Sequence, residues 1–118
     1  MTNTPPNTKG IAQARSWYWQ RISAMALAIF VVIHLVIMMI AVQGGLTAAE
    51  ILSRTQGSIA FGVFYALFVV ACAVHVPLGV AKIAQEWTPL SAAGAALVGR
   101  LFAVVILVMG FAAVWGVL

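Results

Sequence analysis

Aspartate is absent from this chain, and glutamate occurs only twice, at Glu50 and Glu86. Charged residues of both signs occupy 7% of the 118 positions, against roughly 25% in a soluble domain. Two acids and six bases cannot cover a water-facing surface, so a soluble globular fold is excluded. The 64% apolar content also excludes intrinsic disorder, which needs low hydrophobicity and high charge. The single cysteine, Cys72, rules out a disulfide framework and a Cys-rich metal or iron–sulfur site within the chain. The net charge of +4 arises from cations scattered along the sequence, which form no nucleic-acid patch.

What the chain does have is long apolar sequence. No charge interrupts Ile22 to Ala49, Thr55 to Ala81, or Leu101 to Leu118. A spanning helix needs about 20 predominantly apolar residues, and an apolar backbone in lipid must satisfy its own hydrogen bonds. The strict alternation of barrel strands is missing. The runs therefore predict an all-α integral membrane bundle of three transmembrane helices, near residues 18–43, 57–85 and 95–118. Gly44-Gly45 is a natural stop for the first. Residues 1–16, with Pro5-Pro6 and Gly10, read as an extended polar tail. The apolar run after that tail is too long for the core of a signal peptide. Residues 17–118 form a single membrane domain.

Lys9, Arg15 and Arg21 flank the first span, Glu50 and Arg54 lie in the first loop, and Lys82, Glu86 and Arg100 surround the second loop. The excess of Lys and Arg places the N-terminus and second loop in the cytoplasm. Trp17, Tyr18, Trp19 and Trp87 then form an aromatic belt at that interface. A multi-pass protein of a cell inner membrane is expected.

Polar groups inside a membrane are costly and are functional candidates by default. Here two stand out, His34 and His75. Each imidazole needs a partner, either a hydrogen bond from a neighbouring helix or a metal; histidines on facing membrane helices are suited to ligate haem iron. With Arg21 and Lys82 taken as interface markers and a rise of ~1.5 Å per residue, His34 lies roughly 20 Å deep and His75 roughly 10 Å. That offset, near ~9 Å, is awkward for one shared haem and fits two haems at different depths. Gly79 follows His75 by one turn, where its missing side chain would let a flat macrocycle approach. Pro77 should kink the same helix. Ser23 and His34 share a helix face at ~100° per residue. Arg21, Lys82 and Arg100 suit topology and snorkelling, or propionates and a quinone edge, with Glu86 a partner for one of them. Glu50 is a solvated loop residue or a proton relay. The third span has no polar interior residue and reads as scaffold.

Two segments carry a family likeness. Arg21-Ile22-Ser23-Ala24, then Leu27-Ala28-Ile29-Phe30 and His34-Leu35, resembles a family start of Arg-x-Ser-Gly followed by an apolar stretch and His-Leu. His75-Val76-Pro77-Leu78-Gly79-Val80 resembles the family's His-x-x-x-Gly-Ile/Val. Together they are similar to the cytochrome b membrane-anchor subunits of succinate dehydrogenase and fumarate reductase, over about half the chain. Ala24 stands where that family usually has Gly, Gln20 where it often has His, and Ala81-Lys82 where it has a basic residue and His. The resemblance implies a haem b-binding, non-catalytic subunit of an oxidoreductase complex. His75 and His34 would ligate one haem each, and a second membrane chain, identical or different, would complete the ligand sets. It further implies a quinone near Trp17, Arg21 and Ser23, propionate contacts at Lys82, and flavoprotein and iron–sulfur subunits on the cytoplasmic face. Two other functions are consistent with the residues alone: a haem-free anchor or assembly partner, and a small proton-coupled transporter subunit.

Overall fold

The computed structural model describes residues 8–118. Among them the chain forms four helices and no strand: α1 Thr8–Gly44, α2 Ala48–Thr55, α3 Ile59–Trp87 and α4 Ala92–Val117. Three of these, α1, α3 and α4, are long and apolar enough to cross a membrane. The all-α, multi-pass architecture expected from the charge-free runs is therefore present, with limits shifted by one to three residues except at the start of α1.

The N-terminal segment differs from expectation. Helix α1 begins at Thr8, so residues 8–16 are helical rather than extended. Their sequence, TKGIAQARS, is rich in Ala, Gln, Arg and Lys, which favour helix, and the helix breakers Pro5-Pro6 lie outside the described residues. At 37 residues α1 is about 55 Å long. It therefore outreaches a hydrocarbon core about 30 Å thick and carries its basic N-terminal turns beyond it.

The loop after α1 contains the unexpected helix α2. Gly45 breaks α1 with a φ of +106°, a region open to glycine. Thr47 caps α2: its hydroxyl accepts from the Glu50 N–H at 3.2 Å, and the Glu50 carboxylate accepts from the Thr47 N–H at 3.1 Å. This capping box occupies Glu50, the residue considered above as a relay. Both Arg54 guanidinium nitrogens donate to the Gly45 carbonyl at 3.1 Å. The Thr55 hydroxyl donates to the Val117 carbonyl at 2.8 Å, and the Gly57 N–H donates to Leu118 at 3.1 Å. These bonds tie the far ends of α1, α2 and α4 together with no help from the membrane.

The three long helices lie in a row. α3 is central, α4 packs along its length and α1 covers another flank, with no comparable packing between α1 and α4. Helix α3 remains helical through Pro77, although Pro77 cannot donate to the Ala73 carbonyl. Small residues set the α3–α4 approach. A methyl group at Gly99 would fall 2.6 Å from the Pro77 carbonyl oxygen, and one at Gly110 would fall 2.6 Å from Val69. Few large side chains are enclosed: among the described residues the buried apolar ones are Ala41, Ala95 and Val114. Ile29, Val32, Met39 and Met109 all remain more than 60% exposed, which suits lipid or another chain and would fail in water.

Gly99→Ala should lower thermal stability in detergent by about 1–3 kcal/mol, because the obstructing atom is backbone and cannot move aside. Gly116→Ala meets nothing within 4 Å and should leave stability unchanged or slightly raised. Equal effects of the two substitutions would contradict this packing.

Candidate functional site

The antiparallel α1–α3 contact places the two histidines. Going along α1, Gln20 lies on Gly79, Ser23 meets His75, Phe30 stacks on Phe68, and His34 meets Tyr65. Ser23 Oγ lies 3.2 Å from His75 Nδ1. The Tyr65 hydroxyl lies 3.4 Å from His34 Nδ1. Each imidazole is thus met by a hydroxyl from the facing helix, and each uses Nδ1. Tyr65 was not distinguished in the sequence, where one phenol in an apolar run resembles ordinary packing.

This register corrects the depth estimate. Tyr65 marks the level of His34, and His75 lies ten residues further along α3. The two imidazoles are therefore about 15 Å apart along the helix, not ~9 Å. The error came from treating Arg21 and Lys82 as level. Lys82 lies opposite Trp17 and Ser16 instead, about one turn further out than Arg21. Metal–imidazole bonds are about 2 Å, so these two side chains cannot reach a common iron.

Around His34 the surroundings are aromatic. Its ring stands edge-on to Tyr65 and Phe68, with centroids at 5.7 and 5.8 Å. Phe30 and Phe64 extend the layer. Beside it lies a cavity of about 390 Å³ bordered by His34, Tyr65, Thr55, Phe68, Gly110 and Val114. Its wall is apolar apart from the imidazole and two hydroxyls.

At the end of the molecule carrying Arg21 and Lys82, a groove of about 650 Å³ runs between α1 and α3. Trp17 and Lys82 both line it, together with Gln13, Ser16 and Gln85. The Arg21 guanidinium sits 5.0 Å from the Trp17 ring centre, within cation–π range. The structure thus brings Trp17, Arg21 and Lys82 to one region. Ser23 lies deeper, 5% exposed and bonded to His75. A methyl group added at Gly79 would lie 3.6 Å from the Gln20 side-chain nitrogen, an ordinary contact with one flexible side chain. Among the described residues no ion pair involves Glu86, so it does not neutralise Arg21, Lys82 or Arg100.

Among the described residues, no three His, Cys, Asp or Glu side chains converge as a metal-ion ligand set. A ligand that brings its own four nitrogens asks for less, one imidazole from each of two chains. The donor chemistry admits that role in the tautomer whose Nδ1–H donates to the facing hydroxyl, since a metal-ligating imidazole donates its other ring N–H and neither Nε2 makes a hydrogen bond among the described residues. Compared with known proteins, the chain matches no family model, no curated protein and no solved structure. The class the fold defines is a multi-pass α-helical membrane protein with two imidazole–hydroxyl pairs inside its spans.

One polar atom at the site is unsatisfied. Gln20 Oε1 is buried without a hydrogen-bond partner, which costs about 1–3 kcal/mol. Gln20→Leu should raise thermal stability by about 1 kcal/mol. A clear loss of stability would show that the amide has a donor partner in the assembled protein.

Proposed function

We propose that this chain is a haem b-binding membrane anchor of a succinate:quinone oxidoreductase, working in either the succinate dehydrogenase or the fumarate reductase direction. The observation that carries this is the pair of intramembrane imidazoles, each oriented through Nδ1 by a hydroxyl of the facing helix. The order of the two motifs, Arg21-x-Ser23 with His34 on one helix and His75 with Gly79 on the next, supports it.

Bound haem supplies reversible one-electron transfer across the membrane interior. The chain's part is to hold, orient and insulate. His75 would hold one haem nearer the basic end, and His34 would hold a second about 15 Å deeper. The 15 Å spacing requires that the opposing ligands come from another membrane chain, either a copy of this one about a two-fold axis or a different subunit. The open row of helices leaves α1 and α3 flanks available for that chain. The Trp17–Lys82 groove, with Arg21 on the Trp17 ring, offers a quinone an aromatic wall and fixed positive charge. Flavoprotein and iron–sulfur subunits would dock at the same basic end, on the cytoplasmic side of an inner membrane. No residue within the spans is suited to bind a dicarboxylate, so the succinate or fumarate chemistry belongs to those partners.

A second reading, a haem-free anchor, is favoured by the same hydrogen bonds, since each imidazole already has one interhelical partner. A redox titration of the purified membrane complex separates the two. The haem account predicts two b-type components in the reduced-minus-oxidised spectrum, one lost in His75→Leu and the other in His34→Leu. Spectra unchanged by both substitutions, or without a b-type band in the unmodified complex, would overturn it.

A further inference from the structure

The single proton of the Ser23 hydroxyl bears on the tautomer of a histidine. Ser23 Oγ donates to the Gln20 carbonyl at 3.1 Å and lies 3.2 Å from His75 Nδ1. A serine hydroxyl has one proton to give and lone pairs to accept with. The carbonyl can only accept, so both contacts are hydrogen bonds in one arrangement alone: Oγ–H donates to the Gln20 carbonyl and Nδ1–H donates to Oγ. A neutral imidazole carries one ring proton, so Nε2 keeps a bare lone pair.

We propose that Ser23 is a positioning residue that locks His75 in the Nδ1–H tautomer and so presets Nε2 as a ligand. The functional meaning rests on the haem reading above; the tautomer does not. The lock is enclosed, because Ser23 is almost fully buried between α1 and α3.

His34 stands differently. The Tyr65 hydroxyl makes no second hydrogen bond among the described residues. Its proton is free to point at Nδ1 or away from it, and geometry does not select one tautomer. The chain therefore holds one preset imidazole and one adaptable imidazole. Tyr65→Phe becomes an internal control that should leave His75 untouched.

Two measurements test the lock. In the haem-free full chain, labelled with ¹⁵N-histidine in detergent, ring-nitrogen shifts should show His75 as the Nδ1–H tautomer. Ser23→Ala should shift it toward Nε2–H, while Tyr65→Phe should not. In the haem-loaded complex, Ser23→Ala removes the acceptor for Nδ1–H and makes the ring a weaker donor to ferric iron. The midpoint potential of the component lost in His75→Leu should then rise, and retention of that haem should fall roughly tenfold, with Ser23→Thr restoring both. An Nε2–H tautomer in the unmodified chain would overturn the proposal, even if Ser23→Ala does not fold. Unchanged potential and retention in Ser23→Ala would also overturn it while leaving haem ligation by His75 intact. Absence of haem from the unmodified complex would defeat the functional reading alone, with the tautomer still decided by the nitrogen shifts.

Discussion

The α1–α3 register is the constraint on which the rest of this molecule depends. It sets Ser23 against His75 and His34 against Tyr65, with Phe30 stacked on Phe68 between them. Interhelical hydrogen bonds in membranes are modest, averaging about 0.6 kcal/mol and reaching about 1.7. Two of them with an aromatic layer between are still enough to distinguish one register from its neighbours. A slip of one turn along α1, about 5.4 Å, would leave both imidazoles facing hydrocarbon with no hydroxyl in reach. The polar residues inside the spans therefore contribute specificity of fit more than bulk stability.

Helix α4 plays the complementary part. Gly99 and Gly110 admit the α3 backbone and Val69 at distances that a side chain would forbid, so van der Waals contact replaces polar bonds on that flank. This is the small-residue packing expected where lipid offers no hydrophobic drive between helices. The C-terminal end of α4 is then fastened by Thr55 and Gly57. In this row both outer helices, α1 and α4, keep an unshared apolar surface. A second membrane chain that completed a ligand set would approach the α1 and α3 flanks, beside the histidines it must oppose.

Much of this was legible in the residues and some was not. Charge-free apolar runs this long permit little besides spanning helices, and Gly44-Gly45 marked the end of α1 correctly. The continuation of α1 back to Thr8 was hidden because polar helix and polar tail look alike by composition. The short helix α2 did carry a signal: Thr47-Ala48-Ala49-Glu50 is a capping box, overlooked among loop residues. The two histidines stood out because no Asp, Glu, Lys or Arg accompanies them in the charge-free runs. Their partners did not, because pairing between helices depends on a register that no single helix encodes. For the same reason Lys82 was set level with Arg21, when it belongs opposite Trp17.

The central claim is that two imidazoles about 15 Å apart serve two separate haems, each completed from another chain. The most direct measurement is a count of haem irons in the purified membrane complex against copies of this chain and of any second membrane subunit. The account predicts two haems for every two membrane chains: one per chain if the partner is identical, two per copy of this chain if the partner is different. A single haem per pair, or none, would contradict it.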